Sequence, residues 1–240
     1  MTFWDHLEVM RGALLRCAAV WIVFSLVAFV MKDWLFWVVF APSRSDFVLY
    51  NVLKLGNFDV QFINTELTAQ FMVHIEVAMM AGLVVAMPYI VIEMYRFIAP
   101  ALYERERRVS AGVTTGGIVL FFAGVVLNYF VIFPFAFRFL SLYQVQEMVV
   151  NQISLRSYVS TLMMMSIIMG VLFEIPIVAW ILGKVGLITA AGMKKYRRHA
   201  IVVLLIVAAV ITPTGDAVTL ILVTIPLYAL YELSILLVRK

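Results

Sequence analysis

The sequence predicts an all-α polytopic membrane protein with six transmembrane helices. Three observations carry that expectation. Apolar residues make up 65% of the 240 and charged residues only 13%, where soluble domains carry about 25% charged. A water-soluble fold of this length has no way to hide so much apolar surface. Six apolar stretches recur, and a helix needs about 20 such residues to cross about 30 Å of hydrocarbon. Finally, Lys and Arg sit in short clusters between the stretches rather than in one patch, as loops held on one side of a membrane require. The net charge of +4 therefore points to lipid and not to nucleic acid.

The stretches divide one integral membrane domain, 1–240, into spans at about 13–31, 71–94, 109–137, 158–183, 200–212 and 218–238. The first stops at Lys32-Asp33. Glu76 and Glu93 mark the ends of the second, the third is the longest uncharged stretch, and only Glu174 interrupts the fourth. The turn Thr212-Pro213-Thr214-Gly215-Asp216 joins the last two, with Pro and Gly in their usual roles. The uncharged run 200–215 reaches only about 24 Å as helix at 1.5 Å per residue. Such a short pair thins the bilayer or is shielded by neighbouring helices. No internal repeat of the kind that marks many secondary transporters is visible.

Charge sets the orientation. With the N-terminus inside, the inner segments hold Arg11, Arg16, Arg96, Arg105, Arg107, Arg108, Lys184, Lys194, Lys195, Arg197, Arg198, Arg239 and Lys240. The outer ones hold Lys32, Arg44, Lys54, Arg138 and Arg156. That bias favours N-in and C-in with an even number of spans. The first outer loop, 33–70, is long enough for structure of its own, with Pro42, Asp46, Gly56 and Asp59 as turn candidates. No cleavable signal peptide is expected, since no small-residue cleavage site follows the first apolar run. Cys17 is the one cysteine; it excludes an intramolecular disulfide framework and a cysteine-based metal site, and reads as a packing residue.

Polar groups inside spans are the informative ones, because lipid penalises them. Glu174, in Phe173-Glu174-Ile175-Pro176, is the clearest. A charge at a span centre costs about 2.5–3.5 kcal/mol on insertion scales, so this carboxyl must face protein or water, or carry a proton. Pro176 removes a backbone hydrogen bond and opens the helix beside it. Glu174 then reads either as a substrate-contacting or protonatable site or as an interhelical hydrogen-bond partner. His74, Glu76, Glu93 and Glu232 lie near span ends and read as groups snorkelling to the interface. Asn128 and Gly124 read as helix-packing residues, and Met163-Met164-Met165 as an adaptable packing face.

The segment 95–108, Tyr-Arg-Phe-Ile-Ala-Pro-Ala-Leu-Tyr-Glu-Arg-Glu-Arg-Arg, mixes acids into an otherwise basic loop. Topology needs the arginines but not Glu104 and Glu106. An exposed carboxylate beside aromatic residues suits a guanidinium, which it can hold in bidentate fashion. Salt bridging with Arg105, Arg107 and Arg108 is the other reading, and charge alone leaves both open.

Phe97-Ile98-Ala99-Pro100-Ala101-Leu102-Tyr103 followed by Glu106-Arg107 resembles the first cytoplasmic loop of the TatC family, the C subunit of the twin-arginine protein translocase. Other landmarks follow in order: His6-Leu7-Glu8 with Arg11, Phe173-Glu174-Ile175-Pro176, Thr212-Pro213 with Asp216, and Tyr231-Glu232. The resemblance covers essentially the whole chain. It implies a concave wall of six helices in the bacterial inner membrane, both termini cytoplasmic, that receives twin-arginine signal peptides of folded precursors. With TatA- and TatB-type single-span subunits and other copies of itself it would export them, driven by the protonmotive force. By position, Glu106 is the carboxylate for the signal arginines. Phe97, Pro100, Leu102 and Tyr103 share its surface, Glu8 and Arg11 lie nearby, and Glu174 is the polar group of the membrane cavity. The periplasmic turn is marked by Pro213 and Asp216. Two departures stand out. The family often reads His-Leu-Glu-Glu-Leu-Arg, and here Val9 takes the second acidic place. A one-residue step turns a helix by about 100°, so Glu8 would aim elsewhere. Gly215 also stands where a second Pro is common.

No cofactor and no metal is expected. A proton-coupled small-solute transporter using Glu174 is the alternative function. An enzyme is not expected: His6, His74 and His199 lie apart, and HExxH, Gly-x-Ser-x-Gly and P-loop patterns are absent from the sequence.

Overall fold

The structure, a computed structural model, describes residues 3–54, 58, 60–98, 110–144, 146, 151–212 and 216–238. Helix dominates because a helix satisfies its own backbone hydrogen bonds, which lipid cannot do. In chain order the elements are α1 Phe3–Val30, α2 Lys32–Phe40, α3 Val48–Val52, β1 Phe62–Ile63, α4 Ala69–Ile98, α5 Ser110–Leu127, α6 Phe133–Leu142, β2 Ile153–Ser154, α7 Leu155–Leu172, α8 Ile175–Lys184, α9 Ala190–Lys195, α10 Arg197–Ile211 and α11 Ala217–Val238. A π-helical stretch, Asn128–Ile132, joins α5 to α6.

Among the described residues, five segments are long and apolar enough to cross a membrane: Leu7–Val30, Ala69–Phe97, Gly112–Leu142, Leu155–Lys184 and Ala217–Val238. They agree with five of the six expected spans. The other is α10, whose 15 residues give about 22 Å at 1.5 Å per residue. The first helix begins at Phe3 rather than Ala13, because the mixed-polarity N-terminal segment is itself helical. The fourth span is divided: α7 ends at Leu172 and α8 starts at Ile175 with Pro176 in its first turn, as the missing proline N–H requires.

The outer loop 33–70 does carry structure of its own. It contains α2, a 3-10 turn over Ala41–Ser43, α3 and β1. Pro42 opens the 3-10 turn, and the Asp46 carbonyl accepts a 2.8 Å hydrogen bond from Asn51 Nδ2. Gly56 and Asp59 lie outside the described residues. β1 pairs with β2 in parallel, Phe62 opposite Ile153 and Ile63 opposite Ser154, tying this loop to the start of α7.

Small residues set the helix packing, as in membrane bundles generally. Helices α1 and α4 run antiparallel, and a Cβ on Gly82 would strike the Ser25 backbone. Trp21 Nε1 donates to the Met79 carbonyl at 2.8 Å. His74 lies 3.0 Å from the Phe29 carbonyl and stacks on the Phe29 ring at 4.1 Å. It therefore docks α4 on α1 instead of snorkelling to the interface. Between α5 and α7, a Cβ on Gly124 would sit 2.5 Å from the Met169 carbonyl oxygen, and buried Asn128 donates to Ser166 Oγ at 2.9 Å. The packing role expected of both residues is met. Of the three adjacent methionines only Met165 joins the core, while Met164 is 49% exposed. Cys17 is a half-buried free thiol.

At the end of the bundle away from the N-terminus, aromatic rings from the loop meet α6 and α7. Phe62, Phe133 and Phe137 surround Tyr158 with centroids 4.9–5.3 Å away. Tyrosine hydroxyls satisfy carbonyls at the end of α2 and beyond: Tyr158 donates to Val39 at 2.8 Å, Tyr129 to Val38 at 2.7 Å, and the Tyr50 hydroxyl lies 2.9 Å from the Pro42 oxygen. Helix C-terminal carbonyls are short of intrahelical partners, so these hydroxyls bond the end of α2 as the rings pack, the Val38 carbonyl accepting the Ala41 N–H as well.

Candidate functional site

The start of α1 and the end of α4 meet at one end of the molecule around an open pocket of ≈ 340 Å³. Val9, Ala13 and Arg16 face it from α1; Tyr89, Glu93, Arg96 and Phe97 face it from α4. The α1 residues are spaced four and then three apart, which places them on one helix face. Glu8 and Arg11 are exposed on the same helix and are not part of this lining. The roughly 100° step between neighbouring helical residues therefore has the expected consequence: Val9 faces the pocket and Glu8 does not. Phe97 is half-buried in the last turn of α4. Pro100, Leu102, Tyr103 and Glu106 lie outside the described residues, which stop at Ile98 on this side of the loop and resume at Ser110.

Glu93, like His74, does not snorkel to the interface. A snorkelling acid would be exposed, yet its side chain is only 5% exposed. Arg16 Nη2 donates to Oε2 at 2.8 Å and Arg96 Nη1 to Oε1 at 3.3 Å. A buried carboxylate survives only when paired, and both its oxygens are. The signal available in sequence was Arg16 itself, a charge well inside an apolar run. Its partner is 77 residues away, beyond any local pattern.

A second charged contact lies where α9, α10 and α11 meet. Arg197 Nη2 donates to Glu232 Oε2 at 2.6 Å, Tyr228 donates to its other oxygen at 2.9 Å, and Tyr231 donates to the Met193 carbonyl at 2.8 Å. Glu232 is thus a bridging group and not a free interfacial carboxylate.

Glu174 occupies the break between α7 and α8. Its backbone carbonyl accepts from the N–H groups of Ile177 and Val178, each at 3.0 Å. The half-buried side chain turns towards α5, where a Cβ on Gly117 would lie 3.0 Å from Oε2 and 3.3 Å from Val91 of α4. Gly117 thus makes the space for the carboxyl group. Among the described residues Oε1 has no hydrogen-bond partner, so an interhelical hydrogen bond does not account for that oxygen.

Asp216 has a structural task. Its Oδ1 accepts the Thr219 N–H at 2.8 Å, the side-chain cap of a helix N-terminus, here that of α11. Pro213 lies outside the described residues. Among the described residues no group of three or more His, Cys, Asp or Glu could hold a metal ion.

A family model for the Sec-independent protein translocase protein, TatC, matches residues 5–226. The chain belongs to the TatC family. Among its relatives, the TatC protein of Blattabacterium sp. is 33% identical over 98% of this chain and 94% of its own length. That of Deinococcus radiodurans is 36% identical over 98% and 84%. Of solved structures, a crystal structure of the twin arginine translocase receptor TatC in DDM superposes with a TM-score of 0.82 at 30% identity, covering 98% of this chain and 100% of that one. Another crystal structure of that receptor gives 0.78 at 30% identity, covering 97% of both chains. As a TatC family member the chain is a core subunit of the twin-arginine translocase and a multi-pass membrane protein. The small-solute transporter reading finds no support among these likenesses.

Proposed function

We propose that this subunit receives the twin-arginine signal peptides of folded precursors at the end where α1 begins and α4 finishes, and that this end faces the cytoplasm. The observation that carries the reading is the convergence of Val9, Arg16, Glu93 and Phe97 on one open pocket, at the point where the chain enters the 99–109 loop. Glu106 in that loop is the carboxylate that takes the signal arginines. Phe97, Pro100, Leu102 and Tyr103 form the apolar side of the same surface, with Glu8 and Arg11 at its edge. A planar guanidinium meets a carboxylate through two parallel N–H bonds, whereas a lysine offers one point of charge. A site of this chemistry therefore selects arginine.

The Lys and Arg bias supports cytoplasmic termini in a bacterium, with α10 as a sixth span. The short α10 leaves a thin part of the wall, beside which a TatA- or TatB-type single-span helix packs. Glu174, half-buried beside Gly117, contacts the precursor after docking, during a transport step driven by the protonmotive force. Other copies of the chain complete the assembly.

Complementation tests this reading. Cells lacking their own C subunit, given this chain with its cognate single-span subunits, should export a folded reporter only behind a twin-arginine signal. Export that is indifferent to replacing both arginines by lysine would contradict it.

A further inference from the structure

The Glu93 carboxylate and its partners are unequal in one respect. The carboxylate side chain is 5% exposed, while those of Arg16 and Arg96 are 55% and 69% exposed. A buried carboxylate stripped of its partners is strongly destabilising. An arginine that leaves such a pair for water, from a side chain already half in water, loses little. The carboxylate is therefore the fixed half of the pair and the guanidinium the exchangeable half.

Nor does helix packing depend on this pair. Elsewhere along their length α1 and α4 are joined by the close approach of Gly82 to Ser25, by Trp21 on Met79 and by His74 on Phe29. The pocket is open, ≈ 340 Å³ in volume, and carries Val9, Ala13 and Phe97 beside the charges. A guanidinium followed by apolar side chains suits such a lining. Among the described residues helix α1 gives the pocket no carboxylate, since Val9 faces it and Glu8 is outside its lining. Two guanidiniums already share one carboxylate there, so a further one must enter by replacement and not by addition.

We infer that Glu93 is a second receptor carboxylate for a signal-peptide arginine, and that Arg16 occupies it in the resting chain as an internal stand-in for the incoming guanidinium. This rests on the receptor reading above. Arg16 holds the shorter, 2.8 Å bond and reaches across from the other helix, so its departure frees Oε2. Arg96, three residues along the same helix, stays on Oε1 and keeps the carboxylate neutralised. Exchange swaps one charged hydrogen bond on Oε2 for another. The preference for arginine over lysine comes from the weaker hydration of a guanidinium and its ability to stack on an aromatic ring such as Phe97 in the lining.

The test uses the full chain in lipid nanodiscs, titrated with a fluorescent twin-arginine signal peptide and its twin-lysine counterpart. Arg16→Ala should bind the twin-arginine peptide about tenfold more tightly than the parent, because a competing charged hydrogen bond is gone. Glu93→Gln should lose most of the preference for arginine over lysine. A purely structural ion pair predicts the opposite sign for Arg16→Ala, weaker binding or none. Unchanged or weaker binding by a folded Arg16→Ala protein, or full arginine preference in Glu93→Gln, would overturn the inference. Should Arg16→Ala fail to fold, Arg16→Lys is read instead: a smaller gain is expected, and no gain overturns the inference. A parent protein that does not distinguish the two peptides refutes the receptor reading itself. Discrimination by the parent without any gain on changing Arg16 refutes only the inference.

Discussion

Two carboxylates divide the work proposed for this subunit, one in the 99–109 loop and one within a span. Charged hydrogen bonds are worth about 1.5–3 kcal/mol, and each 1.4 kcal/mol is tenfold in affinity. Glu106→Ala should therefore weaken precursor binding by about tenfold or more while membrane insertion is kept, as read by co-purification of a tagged precursor. Glu174→Ala should leave initial binding nearly intact and slow transport; a loss of binding equal to that of Glu106→Ala would end the division of roles. The importance of Glu174 was legible in the sequence because an acid in an apolar run stands out against its surroundings. Its environment was not, because Gly117 makes room for it from another helix, and a glycine in an apolar run carries no local mark of the neighbour it admits. Glu93 failed for the same kind of reason: its position at a span end was plain, and its partner Arg16 was remote in sequence.

Close backbone contact organises the elements, and that makes them sensitive to volume. A Cβ on Gly124 would sit 2.5 Å from the Met169 carbonyl oxygen and 2.8 Å from the Phe173 ring. Overpacking of this kind costs about 1–3 kcal/mol. Gly124→Val should lower the melting temperature of the detergent-solubilised protein, whereas the same change at Gly112, which has open space around it, should not. The loop 33–70 depends on its tyrosines. Burial pushes the Tyr50 hydroxyl above its ordinary value of 10.0, with the Arg138 charge pulling the other way. The folded loop thus favours the protonated form. Its contribution is fully present below pH 10.0 and is lost as pH rises above that value. Alkaline titration followed by tyrosine absorbance should show Tyr50 ionising after the exposed tyrosines, and Tyr50→Phe should shrink that late step, which other buried tyrosines such as Tyr158 share. Length and turn residues made structure in this loop foreseeable. The parallel pairing of Phe62 with Ile153 was not, since the two strands are short and far apart in the chain.

Helix count and direction belong to the whole molecule. Among the described residues five spans are long enough to be recognised by length and hydropathy, and the α10 segment falls short of them. An even number of spans follows only if α10 crosses. With Cys17 replaced by Ser, single cysteines placed at the C-terminus and in the 143–151 segment should react with an impermeant maleimide only from the cytoplasmic and only from the periplasmic side, respectively. Periplasmic labelling of the C-terminus would mean that α10 does not cross. The fold class was legible because lipid imposes the strongest constraint on sequence, a run of apolar residues per span. What remained hidden was tertiary: which helix faces which, and which buried charge meets which.

The central claim is that the 99–109 loop and the adjoining pocket form the twin-arginine receptor. Its most direct test is photo-crosslinking in membranes containing the partner subunits, with a photoreactive residue placed at Phe97 or at Glu106. A twin-arginine signal peptide should crosslink at both positions and its twin-lysine counterpart should not, while a probe at Asp216 on the opposite end stays silent during docking. Crosslinks at Asp216 alone, or equal capture of both peptides by a correctly inserted protein, would contradict the account.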